Sequence, residues 1–199
     1  MARYGAKHIF WAPITEEADT AFPTYGAAMQ LSELRKVSDN PTFLEGKQYG
    51  DDNLAEYVNV FSEADVDVEI TDLPPEMEKA VLGASTSTIA DGSVTRFGAN
   101  DTAPYGGLAF VSCIQRGNKN KYQVICYPKL KAAMQGEEFT TKEGSITLAG
   151  GKLKFKAMAC KSADWKIKSA YMDTEAAAKQ FVADFLSNKI QLPAAAATE

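Results

Sequence analysis

The chain has 199 residues, of which 45% are hydrophobic, and this suffices for one globular domain with an ordinary core. Its formal net charge is −5, and residues 1–100 carry 7 Lys and Arg against 17 Asp and Glu, whereas residues 101–199 carry 14 against 9. So acidic a chain is unsuited to binding free nucleic acid, while the uneven charge suits head-to-tail self-association as well as it suits plain solvated faces.

The sequence has no features of an export or membrane segment. The N-terminus lacks the apolar run and the small-residue cleavage site of a secretory signal, and no stretch reaches the ~18 apolar residues of a membrane helix. We therefore expect Cys113, Cys126 and Cys160 to be free thiols.

The N-terminal third predicts strands separated by turns. Residues 8–12 read as a short apolar strand that ends at Pro13. Residues 28–38 fit a helix, because Leu31, Leu34 and Val37 have near-helical spacing, but they also fit an extended strand.

Residues 46–63 are predicted to be a long loop, because they are rich in Asp, Asn, Glu and Gly. A solvated loop does not need large apolar groups, yet this segment has six of them: Tyr49, Leu54, Tyr57, Val58, Val60 and Phe61. We expect the segment to dock on its own domain or on a neighbour.

The next segment alternates cleanly and then changes to a helix. Val66, Val68 and Ile70 face one side of a predicted strand, and Asp65, Asp67 and Glu69 face the other. A helix at 74–82 follows, for which Asp72 is the predicted N-cap and Gly83 the stop. Its buried side chains are predicted to be Met77, Val81 and Leu82.

The second half predicts a β-hairpin, further strands and a last helix. Strands 105–117 and 121–128 flank a presumed Lys119-Asn120 turn, which would set Ile114 opposite Ile125 and Cys113 opposite Cys126. Residues 84–104 read as irregular with one strand near 94–97, and residues 129–151 as strand, loop and strand. A strand at 152–160 places Lys152, Lys154 and Lys156 on one face, and a further short strand is predicted at 164–171. A helix at 174–188 is capped by Asp173 and buries Phe181, Val182, Phe185 and Leu186. The fold class is therefore mainly β (α+β).

The sequence offers little for catalysis or ion binding. His8 is the single histidine, and three scattered cysteines do not form a zinc site. Asp51, Asp52 and Glu56 could gather around calcium, but their spacing is not that of an EF-hand, and a solvated or interfacial acidic loop fits better. We expect no enzyme activity, no metal and no cofactor.

Several weak motifs in one order resemble the major tail proteins of long-tailed, non-contractile phages that infect Gram-positive bacteria. The second half contributes the aromatic-Gly-Gly strand from Tyr105, the Tyr-Pro-Lys strand at 127–129 and the segment Thr-x-x-Gly-Ser-Ile-Thr at 141–147. The first half contributes Gly5, Pro13-Ile14-Thr15, Tyr49-x-Asp51-Asp52, Ala55-Glu56, Phe61, the strand with Val66, Val68 and Ile70, Asp72-Leu73-Pro74, and Leu82-Gly83. The resemblance covers most of residues 3–170 and does not extend to the C-terminal helix and Ala-rich tail.

This resemblance implies a β-sandwich or barrel-like tail-tube fold, with one short helix packed on the sheet. It favours a strand at 28–38, and it divides the chain into a β domain at 1–172 and a C-terminal helix and flexible tail at 173–199. It also implies a structural virion protein that is made in the host cytoplasm. Its rings, hexameric in the family, would stack into the tail tube. Partners would be further copies of the chain and the tape-measure, tail-terminator and tail-tip proteins, with no membrane contact.

Within that expectation, the segment 46–63 would be the arm between subunits or rings. Its candidate contacts are Tyr49, Asp51, Asp52, Leu54, Glu56, Tyr57 and Phe61. Double-stranded DNA would pass through the lumen without specific binding, and Asp65, Asp67 and Glu69 are the candidate lumen residues because carboxylates repel phosphates. We expect the row of Lys152, Lys154 and Lys156 to pair with an acidic face on an adjacent subunit.

Two other classes fit the sequence less well. One is a tube- or ring-forming protein of a related contractile injection or secretion system, for which a lumen that binds effectors would be the sign. The other is a monomeric β-sandwich binding module, or an enzyme with an unrecognised site, which predicts a defined pocket.

Overall fold

The structure is a computed structural model that describes residues 2–17, 22–51, 53–89, 92–133 and 150–190. The helical segments are α1 (Pro75–Met77), a π-helical turn (Glu78–Leu82) and α2 (Glu175–Leu186). The strands are β1 (Ala2–Glu16), β2 (Thr24–Tyr25), β3 (Met29–Gln30), β4 (Leu34–Gly50), β5 (Asn53–Ile70), β6 (Ser85–Ile89), β7 (Gly92–Arg96), β8 (Tyr105–Arg116), β9 (Lys119–Ala133), β10 (Gly151–Ala157) and β11 (Ile167–Lys168).

Nine of the strands in the described residues form one antiparallel sheet with the path β2-β1-β8-β9-β10-β5-β4. The strand β11 joins at β9 and β3 joins at β1, while β6 and β7 form a separate small hairpin. The sheet curls so that β1 and β4, far apart on the path, come within 8 Å between Cα atoms. The expected mainly β fold with two helices is confirmed.

The concave face of the sheet holds the main core. Val66, Val68 and Ile70 on β5 meet Leu153 and Phe155 on β10, as the alternation in the sequence predicted. Further core side chains come from β1, β8 and β9, and Val81 of the π-helical turn closes one side. Period-two alternation places these side chains on one face and their charged neighbours on the other.

The opposite face of the sheet has two unlike halves. Over β1, β8 and β9 it is covered by α2, whose buried side chains are Ala178, Val182, Phe185 and Leu186. Phe181, predicted to be buried with them, is partly buried. Over β10 and β5 the same face is a ladder of charged side chains. The C-terminal helix, which we expected to be an addition to the β domain, thus shares a core with three of its strands.

Both helix starts differ from the predictions. The first helix begins at Pro75, whose fixed φ suits the first helical position, and Pro74 precedes it without a side-chain cap, so Asp72 is not the cap. The second begins after Thr174, whose hydroxyl accepts a hydrogen bond from Ala177 N–H at 3.2 Å, so Asp173 is not the cap either. The predicted stop at Gly83 is confirmed, since this residue has a left-handed φ of 77°.

The register of the β8–β9 hairpin also differs from the prediction. The turn is Gly117-Asn118, with Gly117 at φ 62°, so Arg116 pairs with Lys119. Cys113 consequently lies opposite Tyr122 rather than Cys126, and Ile114 lies opposite Lys121 rather than Ile125. A left-handed conformation is much easier for glycine than for lysine, and this moves the turn by two residues.

Three further predictions are settled by the strand bounds. The strand β1 is longer than predicted and passes through Pro13, which pairs in register with Gly106. The strand interpretation of 28–38 is confirmed for Met29–Gln30 and from Leu34 onward, whereas residues 31–33 between them are not in a strand. Residues 84–104, expected to be mostly irregular, contain the β6–β7 hairpin, and the loop and strand expected after residue 133 lie mainly outside the described residues.

Candidate assembly surface

The segment 46–63 is not a loop, as predicted, but part of a long two-stranded ribbon. Its strands β4 and β5 stay paired from Leu34–Ile70 to Gly50–Asn53, next to a turn at Asp51, which has φ 48°. The composition misled the prediction because strand propensity depends strongly on the cross-strand neighbours. We call residues 44–60, the part of the ribbon beyond the Phe43–Phe61 pair, the arm.

The arm touches little else of its own chain. The side chains that the structure describes in the arm are all exposed, and the large apolar or aromatic ones are Leu44 (65%), Tyr49 (68%), Leu54 (51%), Tyr57 (46%), Val58 (48%) and Val60 (55%). Of the predicted contact residues, Asp51 and Glu56 are exposed beside them, and Asp52 lies outside the described residues. The structure therefore gathers the predicted residues on one projection, whose exposed apolar side chains are typical of an interaction surface.

The two faces of the arm differ in chemistry. On one face, the Lys47 ammonium lies 3.4 Å from a Glu45 carboxylate oxygen and 5.8 Å from the centre of the Tyr57 ring. A hydrogen bond between Glu45 and Tyr57 lowers the pKa of the glutamate and raises the pKa of the tyrosine. On the other face, Leu44 pairs with Val60, and Gly46 pairs with Val58. This second face is apolar near the body and polar toward the tip, where Gln48 pairs with Glu56. The prediction missed part of this face because Leu44 precedes the predicted loop.

The arm is fixed to the body at an aromatic junction. Phe61 stacks on Trp165 with ring centres 4.5 Å apart and planes 11° apart, and Phe43 contacts Phe61 edge-on at 6.0 Å. The ladder register shifts between Thr42 and Phe43, so the strands bulge where the arm leaves the body. Phe61, the one predicted contact residue that is partly buried, thus packs within its own chain.

An ion pair lies next to this aromatic junction, on the side of the body. Lys166 pairs with Asp39 and lies 5.6 Å from the ring centres of both Trp165 and Tyr127. Tyr127 Oη donates a hydrogen bond to Asp39 Oδ2 at 3.0 Å. Burial alone would raise the pKa of Asp39, but its bonds to Lys166 and Tyr127 outweigh burial and the pKa is lowered. No local pattern predicts this junction, because Trp165 is distant from Phe61 in the chain.

The acidic row has lysine partners in its own chain. In register, Asp65 lies opposite Lys156, Asp67 opposite Lys154, and Glu69 opposite Lys152. The Lys156 ammonium is 3.0 Å from Asp65 and 2.5 Å from Glu63, and the Lys156 bond lowers the pKa of Asp65. The expectation that the lysine row pairs with an adjacent subunit therefore needs correction, because cross-strand pairing already brings carboxylates beside Lys154 and Lys156.

The remaining candidate groups have structural partners. His8 Nε2 lies 2.7 Å from a carboxylate oxygen of Glu175, at a bulge where His8 has φ 52°. The three cysteines are free and buried, as expected, and burial raises the pKa of Cys126. In the described ranges, no three His, Cys, Asp or Glu side chains are grouped as metal ligands would be.

The longest helix that the structure describes has 12 residues, and no described helix combines the length and apolar character needed to cross a membrane. A scan of the chain against protein-family models and a search of curated proteins both gave no match. The candidate site consequently rests on the geometry of the arm, its junction and the charge ladder.

Proposed function

We propose that this chain is the major subunit of a phage tail tube, a structural protein whose copies assemble into stacked rings. The proposal joins the order of family-like motifs in the sequence to one structural observation, the projecting arm. In this role the chain carries no catalytic site. Its partners are further copies of the chain and the tape-measure, tail-terminator and tail-tip proteins.

The arm carries the proposal because it has no evident purpose in a monomer. Its described side chains are exposed, and six of them are large apolar or aromatic groups. A soluble monomer gains nothing from holding such groups in water, whereas burial against a second protein releases about 25 cal/mol per Å² of apolar surface. A projection of this kind is well suited to joining neighbouring subunits.

The free edge of β4 offers a second means of association. In the described sheet, β4 pairs only with β5, and its other edge ends the strand path. Exposed edges attract further strands. Pro41, which has no N–H to donate, lies within β4 and is tolerated there because the strand is at an edge of the sheet. Closing such edges against neighbouring copies would turn an open curled sheet into a continuous wall.

For the conduit, Asp65, Asp67 and Glu69 remain the candidate wall residues. Because Lys152, Lys154 and Lys156 lie beside them, this face carries closely alternating charges rather than an acidic strip. Paired lysines are poor phosphate ligands, since their charge is already neutralised by neighbouring carboxylates. A wall of this type would let DNA slide without strong binding positions.

Negative-stain electron microscopy over a concentration series, with light scattering of the same samples, tests the proposal. We expect rings or hollow tubes above a threshold concentration, because the arm buries apolar surface only when copies meet. Prolonged incubation at the highest concentration separates slow nucleation from an inability to assemble. Monodisperse protein at all concentrations, also after prolonged incubation, would contradict the proposal and favour a monomeric binding module.

A further inference from the structure

A patch on the body combines exposed aromatic side chains with a lysine and a small cavity. Phe97 and Tyr105 are 46% and 44% exposed, and the Lys131 ammonium lies 5.3 Å from the centre of the Tyr105 ring. Phe97 and Lys131 line a cavity of about 240 Å³ together with Leu82, Ala103 and Ala132. We call Phe97, Tyr105, Lys131 and this cavity the Tyr105 patch.

The cavity has the size for a side chain rather than for a cofactor. Its volume of about 240 Å³ lies below the roughly 300–1,000 Å³ of typical small-molecule sites, but far above the roughly 30 Å³ of one water. Asp101, the acidic residue of its lining, already accepts a hydrogen bond from Gly98 N–H at 2.6 Å. The cavity wall is mixed, with Leu82, Phe97, Ala103 and Ala132 as apolar members and Gly98, Asp101, Thr102 and Lys131 as polar ones. The patch thus suits one side chain whose apolar part lies against the apolar members and whose acidic neighbours face Lys131.

The tip of the arm has this chemistry. Leu54 and Tyr49 are exposed and paired with each other across the two strands. The arm sequence has four acidic residues, Glu45, Asp51, Asp52 and Glu56, against the single cation Lys47. Of these, Asp51 and Glu56 are exposed close to Leu54 along the chain. An acidic, apolar tip therefore complements an aromatic patch with a lysine.

The tip and the patch of one chain cannot meet. Lys131 of β9 lies opposite Lys156 of β10 in the strand register, and Lys156 lies opposite Asp65 of β5. The patch is therefore in the same cross-strand row as Asp65. Leu54 is eleven residues further along β5, which is roughly 35 Å at ~3.3 Å per residue. Because the arm is exposed along its described length, it does not fold back over the body.

We propose that the arm tip of one copy docks in the Tyr105 patch of a second copy of this chain. Leu54 enters the cavity beside Phe97, and Lys131 faces the carboxylates of Asp51 and Glu56. The two surfaces differ, so the contact is heterologous and can repeat from copy to copy, as rings and tubes require. The inference rests on the proposed self-assembly and adds the acceptor site to it.

Cross-linking between two single variants tests the contact. Leu54→Cys and Phe97→Cys proteins are purified separately, mixed in equal amounts at assembling concentration, and oxidised mildly. The three native cysteines are buried and do not compete. We expect tip-to-patch heterodimers in excess of the share that random pairing gives. In the matched control, Lys179→Cys on the exposed side of α2 replaces Phe97→Cys and should show no such excess.

The outcomes separate this inference from the proposed function. The inference would be overturned, and the proposed function kept, if the wild-type protein forms tubes but the heterodimer shows no excess. An equal excess in the Lys179→Cys control would have the same meaning. A protein that neither assembles nor cross-links would overturn both. An excess that is specific to Phe97→Cys supports the contact.

Charge exchange tests the same contact without cysteines. Glu56→Lys and Lys131→Glu should each raise the concentration for half-assembly roughly two- to fivefold, as expected for a charge pair at the rim of an interface. The double variant should return near the wild-type value, because the pair is restored with reversed signs. Additive losses in the double variant would contradict a direct contact between the two residues.

Discussion

The two halves of the β4–β5 ribbon share one ladder of backbone pairs but have different surroundings. Residues 34–43 and 61–70 place one face in the core, where Val66, Val68 and Ile70 are buried. In the arm, the pairing continues and the burial ends. An isolated two-stranded hairpin is marginally stable in water, so the arm depends on the body for its order. The body, in contrast, gains little from the arm.

Deletion of the arm should produce the largest difference between the two halves. Residues 45–59 are replaced by Asn-Gly, which makes a two-residue turn between the paired residues Leu44 and Val60. We expect light scattering to show no assembly of this variant, while the denaturant midpoint of its monomer stays close to that of the wild type. A deletion variant that still forms tubes would show that the arm is not the assembly element.

Truncation of a large aliphatic side chain to alanine should lower the free energy of unfolding by unequal amounts in the two halves of the ribbon. Ile70→Ala, in the buried half, should lower the free energy of unfolding by roughly 2–5 kcal/mol, because it leaves a cavity in a closed core. Leu54→Ala, at the exposed tip, should change it by less than about 0.5 kcal/mol. Urea unfolding of both variants measures the contrast, and similar losses would mean that the tip is packed in solution.

The junction should have an intermediate effect. Trp165→Ala removes the stack on Phe61 and should destabilise the protein by about 1–2 kcal/mol. Hydrogen exchange of arm amides should also become faster, because the base of the ribbon is no longer held. Trp165→Phe is the control that keeps a stacked ring. Unchanged exchange in Trp165→Ala would indicate that the bulge alone orders the arm.

The Asp39 ion pair should give the smallest effect, and it should depend on pH. Its folded pKa is lowered, so its stabilisation is present above the ordinary aspartate pKa of about 3.9 and is lost as pH falls through the folded value. Asp39→Asn should cost about 1 kcal/mol near pH 7, a modest value because the side chain is 27% exposed. Unfolding curves of both proteins should converge below pH 4, and a constant difference would exclude this linkage.

The sequence predicted well those elements whose pattern is local. The alternation at 65–70 located a core strand, the stripe from Val182 to Leu186 located α2, and Gly83 marked a helix end. Each of these depends on side-chain periodicity or on the conformation of one residue. The mainly β class followed from the same patterns.

Features that depend on register or on distant pairing could not be predicted. The Gly117-Asn118 turn moved the β8–β9 pairs, and only the ladder shows that Lys156 lies beside Asp65 in one chain. The exposed strands of the arm resembled a loop because they are rich in Asp, Asn, Glu and Gly, and their strand conformation depends on cross-strand neighbours that the local sequence does not show. Trp165 is about a hundred residues from Phe61, so their stacking is invisible in the sequence. The self-assembly and the virion role remain predictions.

The order of strands in the sheet has a consequence for synthesis. The two strands of the arm are neighbours in sequence and can pair as soon as residue 70 leaves the ribosome. In contrast, β1 must wait for β8, about a hundred residues later, and α2 closes its face last. Long-range pairing of this kind slows folding and leaves apolar strands exposed meanwhile. A nascent chain therefore exposes the apolar side chains of the arm before the body that orders the arm is complete.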